Sequence, residues 1–482
     1  MQNFEKLIKT LRNEEIQNFK DSKIPEQYYC NNYADFKNIL LKLNANYSAK
    51  KLFILSDGEF KNSSLEEPTS IDKKICDILK DDFEIIFKNL SVDAKVNPQE
   101  IHASEHYLKY IDSYINEVKC NCQIYISLGS GTITDLLKHS LYNNYKDAIF
   151  ISIPTAMTVT AFTSSFSVLD IGGAKRTRQS KHIDHTIWIE PLLQAAPIAL
   201  SRAGYGDLLA RFVAYGDWYL GFKLGISKNY NELAFRLMDV YCDELKILAP
   251  NFANNKLSSS AVESLAPILS MAGIAMSLSG ETTPLSGYEH VISHGLDFLK
   301  LTAGKELVLH GEQVALASLT SAMSFDWILS IDSFDEKKFR TLTLNEADKL
   351  VSKLLLNAPY FGINEVDKQI NKNNIELAKE EFLKDYIVKN EKWNEMKELF
   401  HCFIKDFEET KNKIKSLTIR AQDLEDILVK SKLPIYPEAT NPAISALEYR
   451  WAVRFSPFVR SRFSIGDFLF WIGEDPCVVA AI

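Results

Sequence analysis

Ser127-Leu128-Gly129-Ser130-Gly131-Thr132-Ile133-Thr134-Asp135 is a glycine-bearing turn set between an apolar run and a helical pattern. Residues 123–128 before it read as a strand, and residues 132–140 after it read as a helix. Glycines in such a turn let the backbone approach a pyrophosphate, and the first N–H groups of the helix point at its negative charge. A tight turn with no ligand has the same short pattern, so the flanking chain has to decide between the two.

Upstream, Lys51–Ser56 reads as a strand, Ile71–Leu79 as a helix, 83–88 as a strand and 102–118 as a helix. Downstream, 148–154 reads as a strand, followed by a pair of strands near 165–169 and 186–190. Strands separated by helices of this length imply parallel crossovers and a doubly wound sheet. The expectation is an α/β, Rossmann-like dinucleotide-binding domain over 46–190, preceded by a helical N-terminal extension over 1–45. After Pro191 strand signals almost vanish, and apolar residues recur at helical spacing over 208–224, 230–247, 260–276 and from His290 onward. Residues 191–482 are therefore expected to form an all-α domain.

That helical half holds a second signal. His290 lies in Ser286-Gly287-Tyr288-Glu289-His290-Val291-Ile292-Ser293-His294, His310 in Leu309-His310-Gly311-Glu312, and Asp207 in Gly204-Tyr205-Gly206-Asp207. Three of the nine histidines fall within 21 residues, in an otherwise apolar stretch. Buried imidazoles need a partner for each nitrogen, so clustering them without an ion is costly. Two imidazoles and one carboxylate suit a divalent zinc, iron or nickel ion and leave an open position for a substrate oxygen. His294, one helical turn beyond His290, fits a supporting or proton-relay role.

With 482 residues, 46% hydrophobic and 24% charged, the chain can bury a large core and divide into two or three domains. A net charge of −8 argues against a general nucleic-acid or anionic-membrane surface. Lys175-Arg176-Thr177-Arg178 is the most obvious local basic patch. No apolar run is expected to cross a bilayer, and the N-terminus lacks a signal-peptide core, so a cytoplasmic protein is expected. Seven scattered cysteines suit a reducing compartment, and the Cys120/Cys122 pair reads as free thiols. Residues 365–416, rich in Lys, Glu and Asn, space Leu377, Phe382, Trp393, Met396 and Phe400 for a helical face and read as solvated helix surface.

Two more elements bear on the cofactor. Asp57, in Leu55-Ser56-Asp57-Gly58, ends a strand where a carboxylate bonds ribose hydroxyls and repels the extra phosphate of NADP, and it is equally an ordinary turn residue. Ile153-Pro154-Thr155-Ala156-Met157-Thr158 ends another strand with hydroxyl side chains.

Taken with Ala203–Ala210, Gly216-Asp217-Trp218, Ser279-Gly280, the His290 and His310 segments and Val459-Arg460-Ser461-Arg462-Phe463-Ser464, the chain resembles the glycerol-1-phosphate dehydrogenases. These are a branch of the superfamily that also holds iron-containing alcohol dehydrogenases and dehydroquinate synthase. The resemblance covers most of 51–473. It implies a Rossmann-like domain, a helical metal-binding domain of the dehydroquinate-synthase-like kind, and a cleft between them. It makes Asp207, His290 and His310 the metal ligands, and it places Gly129, Ser130, Gly131, Thr132, Ile133, Thr155, Thr158 and Ser164 on NAD(H) or NADP(H), with NAD favoured through Asp57. Asp207 and His294 then also touch substrate. A homodimer is implied by the resemblance alone.

Two positions depart from the family pattern. Thr160 stands where an Asp usually contacts substrate, with Ala161 for Gly, and Thr282-Thr283-Pro284 stands for Ser-Arg-Pro. The substrate is thus left open between dihydroxyacetone phosphate and another polyol or polyol phosphate, with Lys175, Arg176, Arg460 and Arg462 as candidate anion contacts. The expected reaction is metal-assisted hydride transfer to a ketose carbonyl. A cyclase of the dehydroquinate synthase kind is the second reading, but it needs more basic residues near the ion than the Lys300 and Lys305 found over 279–319.

Overall fold

A computed structural model describes residues 2–13, 23–171, 174–333, 337, 339–360 and 367–482. The chain divides into two compact units. The first draws on residues 1–171, 175–205 and 237–280, and the second on 172–174, 206–236 and 281–482.

The first unit is built on six parallel strands. They are β1 (Glu26–Cys30), β2 (Lys51–Ser56), β3 (Glu84–Asn89), β4 (Ile124–Gly129), β5 (Ile149–Pro154) and β8 (His185–Ile189), in the order β1-β8-β5-β4-β2-β3. Side chains alternate across the pleat, and both faces are apolar. Phe53, Leu55, Tyr125 and Phe150 pack with Ile111, Ile115, Leu136 and Leu141 on one face. Leu52, Ile54, Ile124, Ile126, Ile151 and Ile153 pack with Phe36, Leu40, Ile71 and Ile75 on the other. A sheet covered on both faces is the doubly wound arrangement expected from the sequence. β6 (Phe166–Ile171) and β7 (Ala174–Gln179) form a separate two-stranded ribbon, so the basic patch at 175–178 is a strand.

The chain runs outward from β2 to β3 and then returns to place β4 on the other side of β2. This reversal makes the carboxyl ends of β2 and β4 a topological switch point, the place where open α/β sheets bind ligands. Asp57 follows β2 and Ser130 follows β4, so the register of the sheet brings both turns to that crevice.

The observed units depart from the expected boundaries at two places. Within the expected extension 1–45, Glu26–Cys30 pairs in parallel with β8 and Tyr33–Asn44 packs on the sheet, so residues 26–44 are an edge of the α/β layer. Residues 237–280 return to the first unit through the helix Ser259–Ser279. That helix is long and apolar enough to cross a membrane by length and composition, contrary to the expectation that no such run exists, but 78% of its apolar window is buried inside the structure. Ser, Gly, Ala and Met residues are spread along it and break up the apolar run to the eye.

The second unit is helical. Tyr288–Thr302 is its central element, packed on His310–Ser330 and on Ala446–Val459. In the charged stretch, position 365 and the Leu377 side chain lie outside the described residues, and Asp367–Met396 is helical. Phe382 and Trp393 are buried there, and Lys389, fully buried, donates to Asp467 and to the Pro457 carbonyl, both at 2.5 Å. This stretch is therefore an integral part of the helical core as well as a solvated face.

Candidate metal centre and dinucleotide loop

Asp207 ends the helix Ile198–Leu208, His290 lies in the first turn of Tyr288–Thr302, and His310 opens His310–Ser330. Close approach of the first and last of these depends on Gly206, where an added Cβ would stand 2.4 Å from the Gly311 carbonyl oxygen. One ligand atom from each of Asp207, His290 and His310 lies within 4.8 Å of the other two. Asp207 Oδ1 is 3.2 Å from His290 Nε2 and 3.8 Å from His310 Nε2.

The other ring nitrogens are already assigned. His290 Nδ1 faces Glu289 Oε1 at 2.8 Å, and that oxygen also accepts from the Gly287 N–H at 2.6 Å. His310 Nδ1 faces the Ser293 hydroxyl at 3.1 Å. With Nδ1–H used outward in both rings, each Nε2 of the neutral imidazoles presents a lone pair toward the Asp207 carboxylate. The buried Oδ1 of Asp207 makes no hydrogen bond of good geometry among the described residues. Three acceptors converging in a buried site repel one another unless a cation stands between them, so these residues fit a divalent ion.

Charge in the site follows the same logic. Burial pushes the His290 imidazole down, yet Asp207 and Glu289 together outweigh it and hold the group above its usual 6.5. His294 goes the other way: burial, then the Arg460 guanidinium and the neighbouring imidazoles, keep it well below 6.5. Arg460 Nη2 donates to His294 Nε2 at 3.0 Å, which puts the single proton of a neutral His294 on Nδ1, a buried atom with no hydrogen bond among the described residues. Arg462 donates to the Ser286 carbonyl and to Thr282 Oγ1.

Asp217 holds the entry to the central helix. Its carboxylate accepts from the Tyr288 N–H at 2.7 Å and the Ile465 N–H at 2.6 Å, and Gly287 leaves room for it. Burial and the nearby Glu289 push its carboxyl far above the ordinary range. Asp217, Glu289 and Ser293 lie in the quoted motifs without a role assigned to them, and Asp297 and Gln313 are not singled out by sequence. A polar residue recurring on a buried helical face is the signal that marks them, and it needs the packing to be recognised.

In the first unit, Gly129 pairs with Pro154, and Thr155 N–H donates to the Gly129 carbonyl at 3.1 Å. Ser130 caps the helix Gly131–Asn144 with no side-chain hydrogen bond, which leaves the first backbone N–H groups, those of Gly131, Thr132 and Ile133, for an anion. Gly131 has a packing role too, since a Cβ there would meet Val159 Cγ2 at 2.4 Å. The Thr155 hydroxyl is buried and without a hydrogen-bond partner among the described residues.

Thr160 and Ser164 sit in the loop after β5, where Thr158 is partly exposed. Lys138, reaching from the helix, donates to the carbonyls of Ala161 and Ser164, each at 3.0 Å, and pairs with Asp135 at 2.9 Å. From the other side, Thr163 bonds the Ser270 carbonyl and Ser277 accepts from the Ser165 N–H, both at 2.8 Å. Asp57 turns out to be occupied locally, with its Oδ1 paired to Lys61 and accepting from the Glu59 N–H at 2.9 Å. That arrangement supports its turn role.

A sequence model of the iron-containing alcohol dehydrogenase family matches residues 69–185. A glycerol-1-phosphate dehydrogenase, NAD(P)+, from Geobacillus thermodenitrificans is 28% identical over 255 residues, 52% of this chain and 59% of its own length. One from Staphylothermus marinus is 32% identical over 202 residues, 42% of this chain and 54% of its own length. The chain thus spans little more than half the length of these curated relatives. An iron-containing alcohol dehydrogenase from Corynebacterium glutamicum shares the fold with a TM-score of 0.50 at 13% identity, over 95% of this chain and 98% of that one. Over residues 69–185 the chain is thus similar to the iron-containing alcohol dehydrogenase family, and over little more than half of their length to glycerol-1-phosphate dehydrogenases.

Proposed function

We propose that the protein is a metal-dependent, NAD(P)-linked dehydrogenase that reduces the carbonyl of a small phosphorylated ketose, with dihydroxyacetone phosphate giving sn-glycerol 1-phosphate as the first candidate. The observation that carries the reading is the convergence of Asp207, His290 and His310 with both Nε2 lone pairs turned inward. The similarity to glycerol-1-phosphate dehydrogenases supports the substrate class.

When bound, the ion supplies Lewis-acid polarisation of the carbonyl and the nicotinamide supplies the hydride. Asp207, His290 and His310 hold the ion, and Glu289 and Ser293 keep the two rings turned toward it. His294 is held neutral with its proton on Nδ1, so its role is to donate a hydrogen bond to a substrate oxygen, since Arg460 occupies the nitrogen that a relay would need. Arg460 and Arg462 are the cations on this unit best placed to favour an anionic substrate, and they offset the absence of an Arg at Thr283. The Gly129 loop, Thr155, Thr158 and Ser164 bind the dinucleotide, zinc is the favoured ion with nickel or iron as alternatives, and NAD is favoured over NADP.

The test is direct. Purified protein loaded with Zn2+ should oxidise NADH with dihydroxyacetone phosphate, and Asp207→Asn should lose both the ion, by elemental analysis, and the turnover. Full turnover in Asp207→Asn, or no metal and no NADH binding in the unaltered chain, would overturn the proposal.

A further inference from the structure

We propose that Asp297 is a positioning residue of the metal centre: acting through Gln313 and Ser293, it decides which ring nitrogen of His310 carries the proton. The proposal rests on the reading of Asp207, His290 and His310 as metal ligands.

Four side chains form a single file. Asp297 Oδ1 accepts from Gln313 Nε2 at 3.1 Å, Gln313 Oε1 accepts from the Ser293 hydroxyl at 2.6 Å, and Ser293 Oγ meets His310 Nδ1 at 3.1 Å. Two neighbouring helices each supply two members at helical spacing, Ser293 and Asp297 from one, His310 and Gln313 from the other. Ser293 and Gln313 are fully buried and Asp297 nearly so, so water does not compete for these groups.

The direction of the file follows from what each group can do. A carboxylate only accepts, so Asp297 requires the Gln313 amide to turn its NH2 outward to it. The amide oxygen then faces Ser293, which has one proton and gives it to that oxygen. Ser293 Oγ is left as an acceptor, and His310 must supply Nδ1–H. The lone pair of the neutral ring is thereby confined to Nε2, the nitrogen on the Asp207 side.

Reversing the file would do the opposite. If Gln313 turned its NH2 to Ser293, the hydroxyl proton would go to Nδ1 and the ring proton to Nε2, against the ion. Asp297 is the member that forbids this reversal, because an amide accepts either orientation and a carboxylate accepts one.

Asp297→Asn permits both orientations. It is expected to weaken Zn2+ binding about 10–100-fold, the usual cost of losing a partner behind a ligand, when measured by competition with a chromophoric chelator at fixed pH. Adding Gln313→Glu to Asp297→Asn restores an acceptor-only group in the file, facing both Asn NH2 and the Ser293 hydroxyl, and is expected to recover most of the lost affinity. In the metal-free protein, nitrogen-15 NMR of labelled imidazoles should find the His310 proton on Nδ1 in the unaltered chain and partly on Nε2 in Asp297→Asn.

The proposal is overturned if Asp297→Asn binds Zn2+ as the unaltered chain does, if the double variant is no better than the single one, or if the unaltered ring carries its proton on Nε2. The NMR arm needs no metal. It therefore decides the file even where Zn2+ fails to bind, an outcome that would instead sink the proposed function.

Discussion

Gly204 lies against the backbone of Met157 so closely that an added Cβ would stand 1.8 Å from the Met157 carbonyl oxygen and 2.7 Å from its carbonyl carbon. The helix Ile198–Leu208 therefore touches the segment after β5 backbone to backbone, and only glycine allows it. In an ordinary helix interior Gly→Ala stabilises by about 1 kcal/mol. Here the fixed carbonyl cannot yield as a flexible side chain would. Gly204→Ala should instead lower stability by roughly 1–3 kcal/mol, read as a fall in the urea midpoint, and an unchanged midpoint would contradict the contact.

Lys138 is a second point where one side chain organises a loop. It is fully buried, with its ammonium shared among Asp135 and the carbonyls of Ala161 and Ser164. Burial pushes this ammonium below its usual 10.5 against the pull of Asp135. Lys138→Met removes the link and leaves Asp135 without its cation, at a cost of about 3–5 kcal/mol if the site does not relax. Because the loop carries Ser164, proposed above to bind the dinucleotide, the KM for NADH should rise more than kcat falls. A stable variant with unaltered KM would show that the loop holds its shape without the lysine.

How far these features were legible in the sequence depends on which physical rule sets them. Lys51–Ser56 and Ile71–Leu79 were found at their observed bounds, because their apolar spacing is local and their burial follows it. β1 was missed, since Glu-Gln-Tyr-Tyr-Cys has little apolar alternation and its partner β8 lies more than 150 residues away. β7 read as a basic patch, because a two-stranded ribbon does not require a buried face. The grouping of Asp207, His290 and His310 was legible because imidazole and carboxylate are rare together in apolar surroundings. Lys138, Ser293 and Asp297 look like surface positions until the helices that cover them are placed.

Glu448 ties the acid stability of the second unit to one carboxylate. It caps its own helix through Ser445 and pairs with Lys300 at 3.0 Å, both side chains being buried. Burial pushes its carboxyl up, but hydrogen bonds from Tyr360, Ser445 and Lys300 outweigh this and hold it below the ordinary 4.5. A depressed carboxyl contributes stability that is complete above its unfolded value and is lost as pH falls through the folded one. Glu448→Gln should cost roughly 1.5–3 kcal/mol at neutral pH and progressively less below about pH 4.5, in line with that linkage. Thermal unfolding of both proteins from pH 7 to pH 3 measures it, and parallel curves would rule the linkage out.

Protons and the metal ion should compete at His290. In the free protein the two carboxylates flanking this ring, Asp207 and Glu289, hold it above 6.5, so a proton sits between Nε2 and Asp207 over much of the mildly acidic range. An ion binds only the neutral ring, and so must displace that proton. The sign follows: below the raised value, the logarithm of the Zn2+ association constant should climb by about one per pH unit from this group, and above it the His290 contribution should level off. His294, kept neutral by burial and Arg460, adds no slope in the same range. Glu289→Gln keeps an acceptor oxygen for the ring but removes one of the two charges that favour the proton, and the bend in the curve should therefore move to lower pH. Chelator competition between pH 5.5 and 8.5 gives both curves. If the bend stays where it was in Glu289→Gln, the charge on Glu289 is not what holds the proton on His290.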